Sequence, residues 1–364
     1  MAFGPALPDF PWDTLIPHRR RAEAVAGGLV DLSVGTPVDP TPPVARDALI
    51  ATTDAPGYPP AHGTSALREA AVAWIARRLG VAGLDPMAVA PALGTKELIS
   101  WLPTVLGLGP GSVVVHPELA YPTYDISARL AGATPVRADA TSALGPGRVD
   151  LMWVNSPANP HGRVLPVAHV AKTVSWARER GAILASDECY VAFGWETRPV
   201  SVLDPEVNGG SLEGILAVHS LSKQSNMAGY RAGFAVGDPD LVARILSVRR
   251  HAGMMIPAPV QAAATAALND DGHVDEQRER YARRRSVLRP ALEAAGFRVD
   301  HSEGGLYLWI TRDESCWDTV AWLADRGILV APGEFYGPQG SRHVRVALTA
   351  TDERVAAAVA RVTT

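Results

Sequence analysis

Four apolar runs in the middle of the chain each give way to side chains with a chemical use. The run ending at Val115 leads into His116 and then Tyr121-Pro-Thr-Tyr124. Val154 leads into Asn155 and Asn159, Ser186 into Asp187 and Tyr190, and His219 into Ser220 and Lys223. An aromatic ring, an amide, a carboxylate and an amine thus stand just beyond four successive hydrophobic segments. If those segments are parallel strands, the residues just after them gather at one edge of the sheet, where open α/β folds bind ligands.

Lys223 is one of three lysines, with Lys96 and Lys172, against 31 arginines. Arg does not deprotonate in proteins, so a position that keeps Lys in so biased a chain is a candidate for an amine that must. A lysine and an aspartate at neighbouring strand ends can be no more than a buried ion pair. Lys223, however, lies in a run of small and polar residues from Ser220 to Gly233 that reads as a turn. A desolvated lysine can condense with an aldehyde, and a carboxylate can keep a pyridine nitrogen protonated. Together these needs describe pyridoxal 5′-phosphate. No metal is expected, because the ten histidines show no ligand spacing and Cys189 and Cys316 form no paired motif. The glycines at 107, 109 and 111 precede a strand instead of succeeding one, and Pro110 interrupts them, so they read as a turn.

The elements that must position these groups emerge from periodicity. Runs at 112–116, 134–137, 150–154, 182–186, 214–219 and 232–236 are apolar without alternation, as in strands buried on both faces. Helical spacing of Leu67, Ala71, Trp74, Ile75 and Leu79, stopped by Gly80, predicts an amphipathic helix over 64–79. The pattern is that of a doubly wound α/β domain with a mostly parallel sheet between helices. Helical patterns at 241–251 and 275–295 and strands at 305–310, 328–331 and 343–348 predict a smaller α+β domain. The expected division is an N-terminal arm at 1–45 packing with the small domain, a large domain at 46–251 and the small domain at 252–364. Two domains suit 364 residues. A composition of 47% hydrophobic and 20% charged residues excludes a disordered chain, and a net charge of −4 gives no field for nucleic acid or an anionic membrane. With no 18-residue apolar run, no export pattern and no disulfide framework, a cytoplasmic protein is expected.

In order along the chain stand Gly35 after a short strand, Tyr58 upstream of Gly63, Gly94-Thr95-Lys96-Glu97, Tyr121-Pro122, Asn159-Pro160, Asp187 with Tyr190, Ser220 with Lys223 and Arg231, and Arg345. This ordered set resembles the class I/II, fold-type I aminotransferases that use pyridoxal phosphate. The resemblance implies that Lys223 carries the cofactor and shuttles the proton, and that Asp187 pairs with the pyridine nitrogen. It implies that Tyr190 and Asn159 bond the phenolic oxygen, and that Tyr121 stacks on the ring. Thr95, Lys96, Ser220 and Arg231 would hold the phosphate, joined by Tyr58 of a neighbouring subunit in a homodimer with shared sites. Gly35, Asn159 and Arg345 would meet the substrate, Arg345 clamping its α-carboxylate. Against these roles, Tyr58 and Tyr121 can be packing aromatics and Lys96 a solvated helix-start lysine. The family commonly has Thr two residues after this asparagine, where His161 stands.

The stretches at 10–14, 31–39, 94–98, 251–259 and 329–337 further resemble actinobacterial succinyldiaminopimelate transaminases. The implied reaction passes an amino group between glutamate/2-oxoglutarate and N-succinyl-2-amino-6-oxopimelate. Arg20, Arg250 and His251 are candidates for the far, acidic end of that substrate. An aspartate or aromatic aminotransferase, a β-lyase on the same cofactor, and a non-enzymatic cofactor-binding regulator are the alternatives.

Overall fold

The computed structural model describes residues 7–363. The chain begins with the 3-10 turn Pro11–Leu15, helix α1 (Ile16–Glu23) and the short strand β1 (Val30–Asp31). Helices α2 (Pro43–Ala51) and α3 (Ser65–Leu79) come next, then β2 (Val89–Ala92), α4 (Thr95–Val105), β3 (Val113–His116), α5 (Thr123–Ala131), β4 (Thr134–Arg137) and β5 (Leu151–Asn155). After these stand α6 (Val167–Glu179), β6 (Ile183–Asp187), α7 (Pro205–Asn208), β7 (Ile215–Ser220), the single turn α8 (Leu221–Gln224), β8 (Gly233–Gly237), α9 (Pro239–Ala252) and α10 (Ala258–Asn269). The remainder is α11 (Gly272–Ala294), β9 (Arg298–Asp300), β10 (Tyr307–Thr311), α12 (Cys316–Ala324), β11 (Ile328–Leu329), β12 (Ala331–Pro332), β13 (Val344–Ala347) and α13 (Asp352–Val362).

Seven strands form the large sheet in the order β2-β8-β7-β6-β5-β3-β4. It is parallel from β4 through β7, while β8 runs antiparallel to both of its neighbours. Strands β5, β7 and β8 are buried at every residue, which is why their sequences show no polar alternation. Strand β2 has no counterpart among the expected runs because Pro91 argues against a strand. It is tolerated at the sheet edge, where one side needs no ladder donor. On α3, Thr64 caps the start by accepting from Leu67 N at 3.2 Å, and Gly80 ends it at φ 81°. The buried face, Leu67, Ala71, Trp74 and Ile75, is the predicted one, with Trp74 edge-on to Phe234 of β8.

A second core is built on the antiparallel sheet β12-β13-β10-β9 with α11, α12 and α13. Leu15, Val30 and Leu32 of the arm belong to this core, and β1 pairs in parallel with β11. Helix α10 lies beyond residue 252, where the small domain is expected to begin. It packs on α2 and α3, and its Ala263, Ala264, Ala267 and Leu268 share the core of the large sheet, so the change of core falls after Asn269. Among the described residues no helix is long and apolar enough to cross a membrane.

The arm is fastened by charge as well as packing. Arg284 of α11, 3% exposed, donates to Asp39 Oδ1 and Oδ2 at 2.6 and 2.8 Å and to Asp352 at 2.6 Å. Arg284→Ala leaves Asp39 half-buried without its cation and is expected to lower unfolding free energy by about 3 kcal/mol, read by denaturant titration. Burial pushes the Asp39 carboxyl up, but its bonds to Arg284 more than offset this and hold it below the usual range. The pair therefore contributes fully above about pH 4 and is lost as pH falls further, a pH dependence that the variant should lack.

Candidate active site

Strands β3, β5, β6 and β7 lie side by side, so their C-terminal residues His116, Asn155, Asp187 and Ser220 reach one edge together. Beyond that edge is a cavity of about 740 Å³. Gly35, Thr95, Lys96, Tyr121, Asn159, Asp187, Tyr190, Ser220, Lys223, Arg231 and Arg345 all line it. Of the residues expected to meet the cofactor or the substrate α-carboxylate, only Tyr58 lies outside it.

Three ionisable groups here are drawn out of water without an opposite charge among the described residues. Asp187 is 5% exposed; Tyr124 Oη donates to its Oδ2 at 2.6 Å and Cys189 N to its Oδ1 at 3.1 Å. Burial pushes its carboxyl pKa up, and these bonds only partly restore the anion. Lys223 sits on the turn α8 and donates from Nζ to the carbonyl of Gly35. Burial lowers its pKa below the usual lysine range, which favours the neutral, nucleophilic amine. Arg345 of β13, 3% exposed, donates to Asn159 Oδ1 at 2.8 Å and Ser33 O at 2.7 Å, while its Nε has no partner among the described residues. The Tyr307 ring centroid lies 4.0 Å from this guanidinium. Such a set is costly when empty and is satisfied by a ligand that brings a cationic nitrogen to Asp187, an aldehyde to Lys223 and a carboxylate to Arg345.

The phosphate corner is shaped by backbone. Gly94 (φ 78°) precedes α4, whose first residues are Thr95 and Lys96, and a Cβ on Gly94 would collide with the Arg231 guanidinium. Arg231 itself is held in the left-handed region at φ 57°. Thr95, Ser220 and Arg231 thus offer two hydroxyls and a fork to one corner of the cavity, beside the N-terminus of an eleven-residue helix. This cradle, together with Asp187 and Lys223, fits pyridoxal phosphate. Behind it, Arg249, fully buried, bonds both oxygens of Glu97 at 2.8 and 3.1 Å, and Glu97 accepts from Leu93 N at 3.2 Å. That pair pins the loop entering the cradle.

Several contributors have no role assigned from the sequence. Tyr307 hydroxyl lies 3.0 Å from Tyr190 hydroxyl and occupies the space that a side chain at Gly35 would need. Tyr124, three residues after Tyr121, supplies the bond to Asp187, and the spacing Tyr-Pro-Thr-Tyr at a strand end was the available clue. Tyr121 stands edge-on to Tyr124 at 5.9 Å, its hydroxyl pKa pushed up to about 12 by burial. Other expectations move. Tyr58 is 97% exposed, away from the cavity of its own chain. Arg20, Arg250 and His251 are exposed and do not line the cavity. His161 lines a separate small hollow against His301, its pKa lowered to about 3 by burial, so the departure at that position does not reach the cavity.

A family model described as aminotransferase class I and II matches residues 28–362. The chain is 63% identical over 357 residues to the 4-dedimethylamino-4-oxo-anhydrotetracycline transaminase of Streptomyces rimosus, covering 98% of this chain and 99% of that one. It is equally 63% identical, over 358 residues, to a probable aminotransferase of Mycobacterium tuberculosis, covering 98% of this chain and 86% of that one. The structure of a probable N-succinyldiaminopimelate aminotransferase from Thermus thermophilus superposes with a TM-score of 0.87 at 28% identity, covering 97% and 99% of the two chains.

Tyr124→Phe removes one hydrogen bond from the buried Asp187 carboxylate and leaves the ring in place. Pyridoxal phosphate should then bind about fivefold more weakly in an absorbance titration of the apoprotein. An unchanged dissociation constant would mean that this hydroxyl does not tune the carboxylate.

Proposed function

Because the chain belongs to the class I and II aminotransferases, whose cofactor is pyridoxal phosphate, we propose that it passes an amino group between glutamate/2-oxoglutarate and N-succinyl-2-amino-6-oxopimelate. The observation that carries the aminotransferase part is the set Asp187, Lys223 and Arg345, each drawn out of water without an opposite charge of its own. The succinylated substrate is supported by the family stretches spread along the chain and by the Thermus relative so named. The 63% identity to the Streptomyces enzyme supports a second reading, 4-dedimethylamino-4-oxo-anhydrotetracycline as the acceptor.

When bound, pyridoxal phosphate supplies an aldehyde and an electron-withdrawing ring that takes up the electron pair of the broken C–H bond. In this reading Asp187, whose anion Tyr124 and Cys189 N help to stabilise, would hold a proton on the ring nitrogen. Lys223, with its lowered pKa, takes the proton from the substrate carbon as a neutral amine and returns it on the other side of the reaction. Arg345 takes the substrate carboxylate in its fork, and Asn159, already bonded to Arg345, ties that grip to the cofactor side. Thr95, Lys96, Ser220 and Arg231 bind the phosphate, and Tyr121 and Tyr190 orient the ring. The carboxylate grip sits on a small-domain strand, so substrate draws that domain onto the large one and excludes water during proton transfer. The two free cysteines, Cys189 and Cys316, suit a reducing cytoplasm.

The chain is read as a homodimer in which Tyr58 completes the neighbour's phosphate site. Its full exposure, with Ile50 of α2 also 65% exposed, supports a contact face there.

In the reconstituted protein, glutamate should bleach the visible band of the bound cofactor and release 2-oxoglutarate one-to-one with sites. Lys223→Ala should bind the cofactor without that change; an unbleached wild type overturns the reaction. Comparing kcat/KM for the two acceptors with glutamate as donor separates the two substrates. Mixing inactive Lys223→Ala and weakened Tyr58→Ala chains should recover activity if sites are shared, and recover none if each chain works alone.

A further inference from the structure

A second compartment of about 540 Å³ adjoins the first. Phe10, Trp12, Lys96 and Tyr121 line both, so the two compartments share a wall under residues of the N-terminal arm. Its far wall carries Trp317 and Phe335 and, from the end of β4, Arg137. The acids on this wall are engaged or exposed. Asp125 accepts from Arg129 Nε at 2.5 Å with His116 Nε2 at 3.9 Å, and Glu334 accepts from Trp317 Nε1 at 2.8 Å. Asp9 is exposed. The cations are not engaged: among the described residues neither the Lys96 ammonium nor the Arg137 guanidinium is paired with an acid.

We propose that this compartment receives a carboxylate at the far end of a long amino or oxo acid, with Arg137 as the residue that recognises it and Lys96 at the entrance. This deepens the reading above and rests on it: Arg345 takes the carboxylate beside the reacting carbon, the aromatic walls take the chain, and Arg137 takes the anionic end, while Lys96 stays with the cofactor phosphate. It also replaces Arg20, Arg250 and His251, which do not line either compartment. An unpaired surface arginine alone is unremarkable. Arg137, though exposed, differs because it lines a compartment that shares Phe10, Trp12, Lys96 and Tyr121 with the cavity at the reaction centre. Glutamate, with two methylenes between its reacting carbon and its second carboxylate, stays in the first compartment. A polycyclic acceptor without a carboxylate at its far end would lie against the same aromatic walls and offer Arg137 no forked partner, so its KM should respond little to Arg137→Ala.

The test compares wild type, Arg137→Ala and Arg137→Lys, each reconstituted with cofactor. For N-succinyl-LL-diaminopimelate, Arg137→Ala should raise KM roughly fivefold with kcat unchanged, and Arg137→Lys should restore most of it. The KM for glutamate should not move, and the difference should shrink at high salt. An unchanged KM for the succinylated substrate, or an equal rise for glutamate, overturns the subsite. If the wild type does not turn over that substrate at all, the substrate reading fails, and the subsite is judged by calorimetry with heptanedioate and heptanoate. Tighter binding of the diacid that disappears in Arg137→Ala upholds the subsite; equal binding of the two acids overturns it.

Discussion

The site depends on keeping three ionisable groups out of water with, among the described residues, only neutral dipoles to hold them. Asp187 is held by a phenol and a backbone N–H, Lys223 by one carbonyl, and Arg345 by an amide oxygen, a carbonyl and the face of Tyr307. Each would cost several kcal/mol to bury alone. Salt bridges would have cured that cost and ended the function, because a charge already paired has little left to offer a ligand. The neutral partners do the opposite: they fix geometry and leave most of the electrostatic demand unmet.

That arrangement explains why the chain is divided as it is. The dipoles come from parts of the sequence far apart. Ser33 and Gly35 belong to the arm, Tyr307 and Arg345 to the small-domain sheet, and Asn159, Asp187 and Lys223 to the edge of the large sheet. The guanidinium of Arg345 is therefore a three-way joint, and the Asp39–Arg284 pair anchors the arm to the small domain close by in sequence. A shift of any one part changes how well the other two can stabilise a charge.

Much of this was legible in the sequence for a simple reason. Strands buried on both faces leave continuous apolar runs, and a parallel sheet converts the residues after those runs into one site, so Asn159, Asp187, Ser220 and Lys223 could be gathered without seeing them. What escaped depends on contacts between distant segments. Tyr307 and the Glu97–Arg249 pair act through side chains on elements that periodicity places but does not bring together. Strand β2 was hidden by Pro91, and α10 was assigned across the boundary because its alanine-rich face does not say which core it joins. Arg137, the distal cation proposed above, sits on an edge strand with no motif around it.

Arg231 carries a further consequence. Its backbone occupies the left-handed region, which an arginine enters at a cost of roughly 1 kcal/mol, and Gly94 is bare so that its guanidinium has room. Glycine at 231 would relieve that strain and remove the cation in one step. A screen rewarding only thermal stability would thus be drawn toward a sturdier protein with a poorer grip on phosphate, and drift under relaxed selection would run the same way. The position is one where hardiness and activity are in direct competition, and its occupancy by arginine is a record of which of the two has been selected.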